Sequence, residues 1–287
     1  MHTQVPSLRV AGGELPSQAG FPRQVVVRLP DGTPCAYGWL DDTHHHVVEL
    51  PGIATFRFCE GGEEIEAFPD PSVGPGRVVD GYRNTALPLA LHVSGVEALH
   101  GSAIDGGGGV SAFCAMSGTG KTTMAQALSE RGHHLWADDI VAFEPSGDVV
   151  VAHPLPFRPN VREETATYLG SSRQTGDANQ DASTPGNSRR LTCVFLLERV
   201  EECRTGREPV EIVRLPIARA LTEILPHAFR FDLSQLDSRE RALRNYLHLV
   251  SRVPVFRTNF VAGFEHLPVL LTAVEQVLKE QAVERAA

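Results

Sequence analysis

Residues 115–123 read AMSGTGKTT. The apolar run VSAFC at 110–114 leads into them, and TTMAQALSERG at 122–132 follows with helical spacing and a closing Gly132. The pattern is close to G-x-x-x-x-G-K-[ST], with Ala115 in place of the first glycine. An alanine is compatible with that position if its φ is negative, because it ends the strand. Gly118 and Gly120 let the backbone curl so that successive N–H groups converge on phosphate oxygens. A helix starting near Gly120 adds its N-terminal partial positive charge. Lys121 can reach β- and γ-phosphates, and the Thr122 hydroxyl is placed to ligate Mg²⁺. Ser117, Gly118, Thr119, Gly120, Lys121, Thr122 and Thr123 are therefore the expected phosphate contacts, and ATP with Mg²⁺ the expected cofactors.

Two further elements flank this loop. Asp138 and Asp139 fall within HLWADDIVAFEP, 134–145, a run that reads as one strand. A carboxylate at a strand end beside a phosphate loop can bind Mg²⁺ or accept the proton of an attacking hydroxyl. Adjacent residues of a regular strand face opposite ways, so only one of the pair should face the phosphates unless the strand ends there. His100 lies in ALHGSAI, 98–104, joined to the loop's own strand by the turn DGGGG at 105–109. An antiparallel hairpin puts His100 at the end away from that turn. That position is expected to meet the phosphate end only if the sheet bends or the strands stagger.

Outward from the loop, strand-like and helix-like runs interleave. Strands are expected at 148–157, 191–200, 210–215 and 253–260, and helices at 216–225, 238–253 and 266–287. This alternation predicts an α/β sheet domain over 81–287. The segment 23–68 differs: RQVVVRL, TPCAYGWL, HHVVEL, IATFRF and EEIEAF are short runs parted by turn pairs such as Pro51-Gly52 and Gly61-Gly62. They predict a small antiparallel β subdomain within 1–80. Residues 1–20 are expected to fray, 70–76 to link, and 82–93 to form a short buried helix that Pro88 bends or begins. The polar stretch 170–187 is expected to be a mobile loop, a candidate to close over an acceptor.

Composition narrows the function. The net charge of −9 argues against nucleic acid as a partner. Five scattered cysteines with no CxxC pair fit a reducing compartment and offer no zinc site. No apolar run reaches the roughly 20 residues of a membrane helix, and no basic-then-apolar leader opens the chain. A cytoplasmic location is the expectation.

The runs LHGSAI, SGTGKTT and RGHHLWADDIV, spanning about 100–141, together resemble the kinase domain of HPr serine kinase/phosphorylase in order and spacing. The resemblance implies a fold related to phosphoenolpyruvate carboxykinase and the transfer of phosphate from Mg·ATP to a serine hydroxyl. It implies Asp138 as the base, His100 in the acid/base step, Lys121 on the phosphates, and Asp139 with Thr122 on the metal. Thr123 stands where that family carries Glu, and the β subdomain differs from its regulatory domain. The layout is more similar to shorter HPr-kinase-related proteins. Some of these phosphorylate a serine in the precursors of ribosomally made peptides, lasso peptides included. The resemblance also leaves a homo-oligomer open. Two rivals share the phosphate site: a small-molecule kinase, and a regulator that binds ATP without catalysis.

Other candidates are weaker. Arg158 could touch phosphate, but an exposed loop arginine is the commoner case; His153 is weaker still. His44, His45 and His46 show one side of a metal site at most. Arg189 and Arg190 could steer an acidic substrate, and Cys114 reads as a small buried hydrophobe.

Overall fold

The computed structural model describes residues 5–12, 15–16, 22–28, 31–158, 163–169, 187–203, 208–229 and 236–286. Contacts divide the chain into two units, Met1–Ala98 with Phe229–Arg244, and Leu99–Ala228 with Asn245–Ala287.

The first unit holds a six-stranded sheet in the order β1-β6-β5-β4-β3-β2. Its strands are β1 (Ser7–Val10), β2 (Gln24–Arg28), β3 (Pro34–Leu40), β4 (His46–Leu50), β5 (Ala54–Phe58) and β6 (Glu64–Pro69). Each expected run from 23 to 68 forms a strand, and β2 to β6 pair antiparallel in sequence order. Two expectations need correction. Ser7–Val10, in the stretch expected to fray, pairs parallel with β6, and Arg9 there makes ion pairs with Glu64 and Glu66. The expected linker at 70–76 already contains the start of α1 (Pro75–Gly81), with proline in its first turn, where its missing N–H costs nothing.

A π turn, Tyr82–Ala86, carries the chain into α2 (Leu87–Val93), every residue of which is buried. Pro88 sits in the first turn of α2 and so begins this helix. The boundary read from sequence, 80/81, would separate α2 from the sheet; the contacts place this helical segment in the first unit.

The second unit is built on an eight-stranded sheet. Its elements are β7 (Glu97–Asp105, in this unit from Leu99), β8 (Val110–Cys114), α3 (Lys121–Glu130), β9 (His134–Ala137), β10 (Ile140–Ser146), β11 (Val149–His153), α4 (Glu163–Leu169), β12 (Arg189–Val200), β13 (Val210–Arg214), α5 (Ile217–Ile224), α6 (Leu236–Arg252, in this unit from Asn245), β14 (Val255–Val261) and α7 (Leu267–Ala286). The order is β11-β10-β7-β8-β12-β14-β13, with β9 also on β7. Strands β8, β12 and β14 run parallel, while β7 is antiparallel to β8.

Alternate side chains of the central strands enter two cores. Ala112, Cys114, Val194 and Leu196 pack with Ile224, Leu249 and Val250 on one face. Phe113, Phe195 and Leu197 pack with Met124 and Leu128 of α3 and Leu271 and Val274 of α7 on the other. Burial on both faces explains why VSAFC and LTCVFLL read as continuous apolar runs. Phe113, Phe195 and Phe256 face one another across the three parallel strands and stack with centroids 5.4 Å apart at each step. Truncating the middle ring, Phe195, to alanine would cost about 3–5 kcal/mol. This ladder fixes the strands whose carboxyl ends carry the site. Among the described residues no helix is long and apolar enough to cross a membrane. Residues 170–186 of the expected loop lie outside the described residues.

Candidate active site

The loop between β8 and α3 takes the form its glycines predict. Gly118 and Gly120 have φ of 83° and 120°, a region closed to most side chains, and the helix begins at Lys121. Lys121 is buried, and its Nζ donates to the carbonyl of Ala115 at 3.0 Å, drawing the side chain across the loop. Burial pushes its pKa down, with Asp139 and Asp138 pulling the other way. Thr122 Oγ1 donates to Asp138 Oδ1 at 2.8 Å. Thr123 Oγ1 lies 3.0 Å from Thr165 Oγ1 of α4, a helix the sequence pattern did not announce.

The expected strand 134–145 breaks at the aspartate pair. Chain pairing ends with Ala137 and resumes at Ile140, and Asp139 has φ of 70°. The Asp139 carbonyl accepts two hydrogen bonds from the neighbouring strand, from Gly101 N–H at 3.1 Å and from His100 Nδ1 at 3.1 Å. These bonds hold the aspartate in a left-handed conformation that few non-glycine residues adopt.

The break gives the two carboxylates different surroundings. Asp138 is buried and accepts from Ser102 Oγ at 2.7 Å as well as from Thr122. Asp139 lines the cavity above the loop. Its pKa is raised, first by burial and then by the charge of Asp138, with His100 and Lys121 only partly offsetting them.

His100 needs no bend or stagger to reach this place. Gly101 pairs with Cys114, the last residue before the loop, so His100 sits beside the loop's first residue. The strand β8 ends at the glycine-curled loop, and the far end of the hairpin is therefore the loop end. Gly101 is required by close approach: a Cβ there would lie 2.7 Å from the carbonyl of Phe113. Burial, then the charge of Lys121, hold the His100 pKa below its ordinary value. The carbonyl of Asp139 can only accept, so the neutral ring carries its proton on Nδ1 and presents Nε2 as an acceptor.

Some site residues carry no local signal. His227, in the 3₁₀ turn Leu225–His227, has its pKa pushed down to about 4 by burial and then by Lys121 and His100. Arg199, at the end of β12, donates through Nε to the carbonyl of Thr119 at 2.9 Å. Both come from segments remote in sequence; an arginine at the carboxyl end of the strand beside β8 was the one available clue. The loop residues Ser117 to Thr123, with His100, Asp139 and Arg199, line one cavity of about 410 Å³ at the carboxyl ends of β8, β12 and β14. Ligands in open α/β sheets bind at such ends.

Other candidates fall elsewhere. His153 is buried between Ser188 Oγ at 3.0 Å and Glu144 at 3.2 Å. His45 engages Thr43 and Arg57, and His46 stacks on Phe58. Arg158 is exposed after β11, and Arg189 pairs with Asp105 at 2.9 Å. Cys114 is enclosed, and burial raises its pKa to about 12, so no thiolate forms near neutral pH.

No family model matches this chain, and no curated protein does. Among solved structures it is similar to one described as "Structure of the Hpr(Ser) kinase/phosphatase from Coxiella burnetii". The identity is 11%, over 66% of this chain and 95% of that chain, with a TM-score of 0.37. A likeness at that level carries no conclusion about activity.

Proposed function

We propose that this chain is a kinase of the HPr-kinase-related kind, which transfers the γ-phosphoryl group of Mg·ATP to a serine hydroxyl of a peptide or small protein. One observation carries this reading. A glycine-curled loop closed by a buried lysine stands beside a Thr122–Asp138 pair, with a second carboxylate, Asp139, turned to the cavity that Thr122 also lines.

Each residue has a task. The loop N–H groups and the start of α3 hold the phosphates, and Lys121 brings its charge to them. Thr122 Oγ1 and Asp138 would hold Mg²⁺: both are oxygen donors, which suit this hard cation, and they already lie 2.8 Å apart. Bound there, the ion would neutralise charge developing on the phosphates. Asp139 would take the proton of the acceptor hydroxyl. This reverses the order that the sequence resemblance implies for the pair. What supports the reversal is that Asp138 is occupied by two hydroxyl donors, while Asp139 faces the cavity with a raised pKa, a stronger base than an ordinary carboxylate. His100, neutral with Nε2 as acceptor, would orient the hydroxyl.

The preferred acceptor class is a precursor of a ribosomally made peptide, such as a lasso peptide. The test is incubation with γ-labelled ATP, Mg²⁺ and a panel of serine-bearing peptides, including any precursor encoded beside the gene. Label on a peptide serine is expected. Label on a metabolite would point to a small-molecule kinase, and ATP binding without any transfer to a nucleotide-sensing regulator.

A further inference from the structure

The cavity extends well past the phosphate loop. Its far part is mostly apolar, with Leu197 at the end of β12, Phe260 at the end of β14, and Leu267 and Leu270 on the first turns of α7, and with His266 as the polar group among them. The four apolar residues are nearly buried, yet their surfaces face this space. The segment joining β14 to α7 closes one side with Phe264. That ring is held flat against Tyr168 of α4, with centroids 4.5 Å apart and planes 17° from parallel, and Tyr168 Oη donates to the Phe264 carbonyl at 3.1 Å. Two elements thus fix one aromatic wall.

The order of strands says which end of a nucleotide belongs here. β8, which carries the phosphate loop, lies between β7 on one side and β12 then β14 on the other. His100 and Asp139, the groups placed to handle an acceptor, come from the β7 side. The terminal phosphate must point toward them, so the nucleoside must leave toward β12 and β14. Two strand spacings separate β8 from β14, about 10 Å. An α-phosphate and a ribose cover that span. The volume of about 410 Å³ falls in the range of small-molecule sites.

Resting on the kinase reading, we infer that the apolar part of this cavity is the base subsite of a purine nucleoside triphosphate, with Phe264 as its aromatic wall. Apolar walls and a fixed ring bind a base through stacking and exclusion of water, and a purine offers more face than a pyrimidine. Ala262, exposed at the rim of the same segment, is the place where added bulk fills the subsite without disturbing the core.

The experiment compares dissociation constants of ATP, CTP and inorganic tripolyphosphate, each with Mg²⁺, for the wild type and for Phe264→Ala and Ala262→Leu. The wild type should bind ATP more tightly than CTP and both more tightly than tripolyphosphate, with roughly tenfold or more between the ends. Both variants should shrink that gap and leave tripolyphosphate binding unchanged. Equal binding of ATP and tripolyphosphate by the wild type overturns the subsite while leaving the phosphate loop intact. An equal loss of all three ligands in Ala262→Leu, in protein that melts like the wild type, also overturns it. Failure of the wild type to bind tripolyphosphate or ATP at all removes the kinase reading and the subsite with it.

Discussion

Asp41, buried in the first unit, and Asp139, half-buried in the second, respond to their surroundings in opposite ways. Asp41 accepts hydrogen bonds from Thr43 N–H at 2.9 Å, Thr43 Oγ1 at 2.7 Å, His45 N–H at 3.0 Å and Arg57 Nε at 2.8 Å. Burial alone would raise its pKa, but these donors outweigh burial and lower it. Around Asp139 burial is reinforced by the charge of Asp138, and the pKa rises. The first carboxylate is satisfied and holds a turn together. The second keeps its charge only at a cost to the fold, and the proposed reading makes it the base. The residue type is shared; the neighbours decide which way each carboxyl shifts.

The largest effect expected in this contrast lies beside Asp139. Lys121→Met should lower phosphoryl transfer by about a thousandfold, because it removes the charge nearest the transferred group; label transfer from γ-labelled ATP measures it. Asp139→Asn should lower transfer by about a hundredfold. It should also raise Tm slightly, since asparagine tolerates φ of 70° and lifts the penalty of a desolvated charge. Asp41→Asn should do the reverse, costing about 2 kcal/mol of stability with transfer by the folded fraction unchanged. A loss of Tm in Asp139→Asn would break the comparison.

The pH responses sharpen it. Asp139 must be ionised to act, and its pKa lies above the ordinary 3.8, so the acid limb of the rate profile should fall above that value. His227 is depressed from 6.5 to about 4. Its contribution to stability is complete above pH 6.5 and is lost as pH falls toward 4, because the unfolded chain binds the proton first. His227→Gln should flatten that part of a Tm-against-pH curve. The smallest expected effect is at Arg199. Its side chain is exposed, and Arg199→Ala should weaken ATP binding only about fivefold, read by titration.

Much of this architecture was legible in the sequence, where local pattern is sufficient. The strand–loop–helix around Lys121 and the five strands of residues 23–68 follow from turn residues and apolar spacing alone. The break at Asp139 was not legible, because hydrogen bonds from Gly101 and His100, far back in the chain, impose it. Reading 134–145 as one strand left the two aspartates on opposite faces, and the turn instead gives each its own surroundings. His100 was misplaced for a simpler reason: the end of the hairpin remote from DGGGG is the end where the loop 115–120 begins. Arg199 and Thr165 reach the site only through the sheet and the packing of α4.

The proposed division of labour is phosphoryl transfer with Asp139 as base and Asp138 on the metal side. Transfer of label from γ-labelled ATP to a serine peptide, measured for wild type, Asp139→Asn and Asp138→Asn across a range of Mg²⁺, tests it most directly. Label is expected in the wild type, with a loss in Asp139→Asn that added Mg²⁺ does not restore and a loss in Asp138→Asn that added Mg²⁺ partly restores. Transfer that survives in Asp139→Asn at the wild-type rate would contradict it.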